Sequence, residues 1–356
     1  MILDKVLIVH DYSFQKNLGG PKGYYFKCLD GNLPKNITSV NDEIKKLKSI
    51  GIQKKIKIRL DRFRLKKYQN KQLVNKLIKL PKYKYLYFHE MTSFQYVEHL
   101  ISKDQIVIFQ SHSPELPYDE FKAMGKRPET LIKIKKLQNK IFKRANVLVL
   151  PNEGCCSIYK SVIQDHHQVL YAQTGLKPIK ADFEFPIVQE NVVNLLYVGR
   201  RNEIKGFDVL IDTFIKACKQ RKDLRLYLIG GGEVVSHPNI IDIGFSSQVY
   251  SWVKAMDFVL SPNQKSYFDL NILETIALGT PLIMTTTEGH HFFKDKQGIL
   301  DVNQSDLLNV LLDQEKVNKT YKKHSSKHLK HLYEEELSGL QMKQNLKKCM
   351  DDVVNK

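Results

Sequence analysis

Residues 194–230 read NLLYVGRRNEIKGFDVLIDTFIKACKQRKDLRLYLIG, and the reading of this stretch decides the fold. Its two ends, NLLYVG (194–199) and LRLYLIG (224–230), are short apolar runs of the kind buried on both faces of a parallel sheet. Between them Phe207, Leu210, Ile211, Phe214, Ile215 and Cys218 fall at i, i+3, i+4, i+7, i+8 and i+11. That period predicts an amphipathic helix. Two parallel strands need such a crossover, so the stretch is a βαβ unit.

The same alternation extends in both directions. VLIVH (6–10), YLYFH (85–89), IVIFQ (106–110) and VLVLP (147–151) are strand-like on the N-terminal side, and PLIMTT (281–286) on the other. An α/β chain with parallel sheets follows. The segment 174–191, TGLKPIKADFEFPIVQEN, has two prolines and no sustained period, and reads as a linker. It separates a Rossmann-like domain over residues 1–175 from a second over 190–330, with a helical segment over 331–356.

The length of 356 residues, with 42% hydrophobic and 26% charged content, suits a soluble two-domain protein. No apolar run approaches the roughly 18–20 residues of a membrane span. MILDKVLIVHDY lacks the features of a signal peptide. Five cysteines show no metal-ligand spacing, which fits a reducing cytoplasm. The net charge of +18 is uneven: residues 1–175 hold 32 Lys and Arg against 15 Asp and Glu, whereas residues 176–356 hold 24 against 23. One basic run spans Lys45–Lys84 and another Lys126–Arg144. An anionic partner for the first half is expected, with solvated lysine-rich faces as the plainer alternative.

Four constellations can carry chemistry. In GRRNEIKG (199–206), Arg200 and Lys205 leave a strand end just before a helix, where a guanidinium and an ammonium can hold a diphosphate. A solvated turn has the same composition, and the G-x-G-x-x-G dinucleotide fingerprint is missing. In LGGPKGYYFKCL (18–29), Gly19 and Gly20 precede a periodic run and permit close approach of a phosphate, or simply form a turn. His112 follows the strand IVIFQ, and His10 ends VLIVH; both positions face a ligand edge, although a histidine capping a strand is the commoner case. In SYFDLNILETIALGTPLI (266–283), Leu270, Leu273, Ile276 and Ala277 recur at helical spacing and Gly279 is placed to stop the helix. Free amides from Asp269 through Leu270 and Asn271 to Ile272 favour phosphate, and Glu274 can accept two ribose hydroxyls or lie on the surface.

Taken in order, the Gly-Gly loop, the strand-end His, G-R-x4-K-G, L-x-L-x-x-x-G-G-G and L-E-x-x-A-x-G-x-P resemble the GT-B-fold retaining glycosyltransferases of family 4 (glycosyl transferases group 1). The likeness is strongest from Asn194 to Gly289, including KAMDFVLSPN (254–263). It extends through RANVLVLPNEG (144–154) and YAQTGLKP (171–178).

The resemblance implies two Rossmann-like domains facing across a cleft, and sugar transfer from a nucleotide-diphosphate sugar with retention of configuration. It places Arg200 and Lys205 on the donor diphosphate, Glu274 on the ribose, and Gly19, Gly20 and His112 near the donor phosphate and sugar. Gly199, Gly231, Asp269, Leu270 and Asn271 line the donor site. The family's first glutamate falls on Ser266, with Asp269 a stand-in for it. No Asp-x-Asp triplet occurs, so neither a metal nor a cofactor is expected.

The basic N-terminal domain is expected to take a glycan or lipid-linked acceptor of cell-envelope polysaccharide assembly. It would bind the anionic inner face of the cell membrane through Lys54, Lys55, Lys57, Arg59, Lys66, Lys67, Lys135 and Lys136. Nucleic-acid binding has charge alone in its favour. A non-catalytic glycosyltransferase-like partner, a sugar-binding subunit and a nucleotide-sugar epimerase on the same fold are the alternatives.

Overall fold

The computed structural model describes residues 3–10, 20–43, 80–179, 186 and 188–355. Gly19, the lysines and arginine expected at the membrane between 54 and 67, and residues 180–185 of the linker lie outside the described residues. The chain divides into two compact units. One comprises Met1–Pro151, Ile158–Gln173 and Lys343–Lys356; the other comprises Asn152–Ser157 and Thr174–Met342.

In the first unit β1 (Leu3–Val9), β2 (Ile37–Ser39), β3 (Tyr83–Phe88), β4 (Ile106–Phe109), β5 (Val147–Leu150) and β6 (Gln168–Tyr171) form one sheet in the order β2-β1-β3-β4-β5-β6. Every pairing is parallel. All four strand-like runs of the first half are strands here, and their side chains are buried because helices cover a parallel sheet on both faces. The C-terminal residues Leu346, Cys349, Met350 and Val353 are buried as well.

In the second unit β7 (Val193–Val198), β8 (Leu224–Ile229), β9 (Ile240–Gly244), β10 (Phe258–Ser261), β11 (Leu282–Met284) and β12 (Ile299–Asp301) pair in parallel in the order β12-β11-β10-β7-β8-β9. The crossover from β7 to β8 is the Phe207–Gln220 helix, which buries Leu210, Phe214, Ala217 and Cys218. They join Leu195, Tyr197, Leu226, Leu228 and Phe258 in one core. The two six-stranded sheets and the helical C-terminal region give the α/β class that the periodicity predicts.

The strand order matters for function. From β7 the chain winds outward to β8 and β9, then returns to the other side of β7 as β10. Loops that leave neighbouring strands in opposite directions open a crevice at their carboxyl ends. The first sheet reverses in the same way about β1, with β2 on one side and β3 on the other.

Candidate functional site

The loops after β7 and β10 occupy the reversal point of the second sheet. Gly199 closes β7, its N–H donating to Ile229 O at 3.0 Å. The Tyr197 hydroxyl donates to Arg200 O at 2.5 Å and fixes the turn. The Arg200 side chain is exposed. Asn202 caps the short turn Glu203–Lys205 by accepting from the Lys205 N–H at 3.1 Å. Gly206 follows in left-handed backbone (φ 63°), and a Cβ there would lie 1.9 Å from Pro262 O. Only glycine lets this loop press against the loop after β10. The Gln264 N–H completes the contact by donating to Ile204 O at 2.9 Å.

That contact delivers Lys205 to Asp269. Lys205 Nζ lies 2.5 Å from Asp269 Oδ2, and Asn263 Nδ2 donates to the same oxygen at 2.8 Å. Burial alone would raise the Asp269 carboxyl. The Lys205 ammonium, His290 and the Asn263 hydrogen bond outweigh burial and hold it at about 2. His290 is fully buried, and burial lowers it to about 4 although Asp269 pulls the other way. The imidazole is therefore neutral near pH 7, and its Nε2 accepts from the Asp269 N–H at 3.3 Å.

The Leu270–Leu278 helix begins at this carboxylate and ends at Gly279 in left-handed backbone (φ 72°), as its sequence predicts. Asp269 stands at the cap position, yet its side chain makes no capping bond because Lys205 and Asn263 hold it. Its amide is not among the free ones, since His290 takes it, and the Ile272 amide bonds Asp269 O at 3.1 Å. Leu270 and Asn271 keep amides without partners among the described residues. Asn271 Nδ2 donates to Val198 O at 3.1 Å and ties the helix start to the end of β7. Glu274 is no surface charge. It is buried, 6% exposed, and accepts from the Tyr250 hydroxyl at 2.9 Å. Gly231, beyond β8, is exposed beside the ring of Phe245. Ser266 is fully buried, its hydroxyl 2.9 Å from Thr287 Oγ1 and its N–H donating to Glu288 Oε2 at 2.9 Å.

The reversal point of the first sheet holds histidines. His10 follows β1, His89 follows β3, and His112 lies just beyond β4. His89 Nδ1 is 3.0 Å from His112 Nε2, so one ring donates to the other. The Tyr24 ring packs 4.2 Å from His112, and Tyr25 packs 4.3 Å from His10. Gly20 (φ 65°) opens the helical turn that carries Tyr24. Burial holds His10 and His112 at about 3 and His89 well below its ordinary value, so all three are neutral. On the Pro128–Arg144 helix, Lys135 and Lys136 are exposed. They line a hollow of about 520 Å³ with Tyr118, Pro128, Leu131, Ile132 and Asn139.

Residues 193–311 match the family model described as Glycosyl transferases group 1. The matched stretch lies within the second unit and covers about a third of the chain. No curated protein matches the chain in sequence. Solved structures share the fold, and they are GT-B proteins. The Anabaena protein Alr3699/HepE, solved with UDP-glucose, superposes with a TM-score of 0.61 at 12% identity over 98% of this chain and 99% of its own. Sucrose-phosphate synthase (tll1590) from Thermosynechococcus elongatus gives 0.57 at 17% identity, covering 79% of this chain and 77% of that one. S. aureus TarM gives 0.58 at 16% identity over 75% of this chain, which spans only 55% of TarM.

Within the matched stretch the structure separates two arginines that the sequence sets side by side. The Arg201 guanidinium is buried in a bidentate pair with Asp242 at 2.5 and 2.6 Å, and lies 5.4 Å from the Phe207 ring centroid. It holds the loop, whereas Arg200 is exposed. Sequence reading misses Asn263, Glu288 and His290, which meet Ser266 or Asp269 only through folding. His89 it could have found, since it ends YLYFH as His10 ends VLIVH.

Proposed function

We propose that this chain is a glycosyltransferase that moves a sugar from a nucleotide-diphosphate sugar to a glycan or lipid-linked acceptor, with retention of anomeric configuration. The observation that carries the reading is the placement of Arg200 and Lys205 in the loop after β7 and of Glu274 on the helix after β10, the two strands at which the sheet reverses, within the stretch that matches the group 1 model. Arg200 clamps the diphosphate and Lys205, shared with Asp269, adds a positioned ammonium. Positive charge fixed in this way stabilises the departing nucleotide as the bond to the sugar breaks. The Leu270 and Asn271 amides add donors at the helix N-terminus. Glu274, held by Tyr250, takes the ribose hydroxyls. Gly231 lies beside the nucleotide, and the neutral His112, with Gly20, serves the phosphate and sugar by hydrogen bonding. In this reading the protein's own cations take the place of a metal.

HepE was solved with UDP and with UDP-glucose, and TarM with UDP and alpha-GlcNAc-glycerol, which makes UDP-sugars the first donors to test. Thermal shift with UDP, GDP, ADP and dTDP comes first, because a ligand that binds only the folded chain raises its melting temperature. Donor consumption with and without acceptor follows. A chain that none of these nucleotides stabilises is not a nucleotide-sugar enzyme. The serine at 266 and the engagement of Lys205 by Asp269 favour a second reading, a non-catalytic sugar-binding partner. Nucleotide binding without sugar turnover would select it. Donor consumption without an acceptor product would select the epimerase.

The first unit is proposed to rest on an anionic cytoplasmic membrane face. Lys135 and Lys136 flank Ile132, which is 69% exposed, so headgroup and acyl chain both find a partner. Co-sedimentation with phosphatidylglycerol vesicles at low salt, lost in Lys135→Glu/Lys136→Glu, checks this. Equal binding to neutral vesicles would refute the electrostatic part.

A further inference from the structure

Glu288 stands out in the matched stretch. It is a non-glycine residue in left-handed backbone (φ 36°), one of two among the described residues. A glutamate pays a steric penalty there that glycine avoids, and such outliers persist where the surroundings force them. The forcing contact is adjacent. Gly289 lies so close to the preceding loop that a Cβ would stand 1.7 Å from Tyr267 O, and Asn152 Nδ2 donates to Gly289 O at 2.8 Å. The segment after β11 is thus clamped onto the loop that carries Ser266.

The clamp aims the carboxylate. Glu288 Oε2 accepts from the Ser266 N–H at 2.9 Å, and the Ser266 and Thr287 hydroxyls meet at 2.9 Å beside it. Oε1 has no hydrogen-bond partner among the described residues, and the side chain is only half-buried. Asp269, the acid that ends the Ser266 loop, is already committed to Lys205 and Asn263. Its charge is balanced and its oxygen Oδ2 is shared by two donors. The segment leaves β11, the strand next to β10, at the same carboxyl edge as the Lys205 loop.

We propose that Glu288 accepts hydroxyl hydrogens from the sugar ring of the donor, supplying from a neighbouring loop the carboxylate that position 266 lacks. A carboxylate with one oxygen pinned and the other open suits a ring hydroxyl, because it offers acceptors and no donor. The proposal rests on the nucleotide-sugar reading. It replaces Asp269, the stand-in that the sequence suggests, with a residue 22 positions from Ser266 in the chain.

The test separates sugar recognition from nucleotide recognition. UDP, UDP-glucose, UDP-N-acetylglucosamine and UDP-galactose are titrated calorimetrically into the full chain and into Glu288→Gln and Glu288→Gly. The Gln variant keeps the Ser266 bond and removes the charge; the Gly variant removes the carboxylate altogether and relieves the backbone, which offsets the lost Ser266 bond. For the preferred UDP-sugar, Kd is expected to rise about tenfold in both variants, as a lost hydrogen bond to a charged group implies. The Kd for UDP should stay within about twofold, since the nucleotide contacts are untouched. Unchanged UDP-sugar binding in either variant overturns the inference, as does a wild-type chain that binds UDP-sugars no better than UDP. Equal losses for UDP and UDP-sugar also overturn it, because they show a loop role. A wild-type chain that binds no nucleotide sinks the reading beneath it instead.

Discussion

Lys205 and Asp269 form the pair on which the loop after β7 turns. Both side chains are mostly buried, 16% and 18% exposed, so the carboxylate cannot lose its partner cheaply. Folding holds Asp269 at about 2, below its ordinary 3.8, so its contribution is complete above pH 3.8 and disappears as the pH falls towards 2. The gap corresponds to about 2 kcal/mol. Asp269→Asn is expected to lower unfolding stability by about that amount at pH 7 in urea titrations. The difference from wild type should shrink below pH 3.8. An unchanged midpoint at pH 7 would show the pair to be dispensable. Glu274 differs in kind: its hydrogen bond from Tyr250 fixes a buried acceptor, and Tyr250→Phe should weaken nucleotide binding while leaving the fold intact.

The loop of Glu203–Lys205 and Gly206 shows how far local sequence can be read. The βαβ unit was legible because burial on both faces of a strand and on one face of a helix imposes distinct periods. The start and the buried face of the Phe207–Gln220 helix followed from that period, and Gly279 announced the end of the Leu270–Leu278 helix. The cations of the loop after β7 were also legible, as residue types at a strand end. Which of them faces solvent was not, because Arg201 is claimed by Asp242, 41 residues away, and Lys205 by Asp269, 64 away. Pairings of that range are fixed by topology, which no local period encodes. Gly206 makes the dependence measurable. Gly206→Ala must hold φ 63° and displace Pro262 O, so it should cost more than about 1 kcal/mol and move Lys205. A wild-type melting temperature with undiminished UDP binding would show that the two loops need not touch.

Taken whole, the molecule concentrates its positive charge in the first half and buries three neutral histidines in the first unit. Histidines lowered by burial stabilise the fold fully above pH 6.5. Below that, the unfolded chain takes up protons that the folded chain refuses, until about pH 3 for His10 and His112. Each one contributes a slope of about 1.4 kcal/mol per pH unit. Stability should therefore fall steeply from pH 6.5 to 5, and His10→Phe should remove about one proton from that slope in denaturant titrations. A flat profile would mean that these rings reach solvent. The proposed donor site is tested most directly by calorimetric titration of UDP-glucose and UDP into the wild-type chain and into Arg200→Ala/Lys205→Ala. Saturable wild-type binding, weakened at least about a hundredfold when both cations are removed, is the expected result. Equal affinity in wild type and variant would place the donor elsewhere and refute the assignment of Arg200 and Lys205 to the diphosphate.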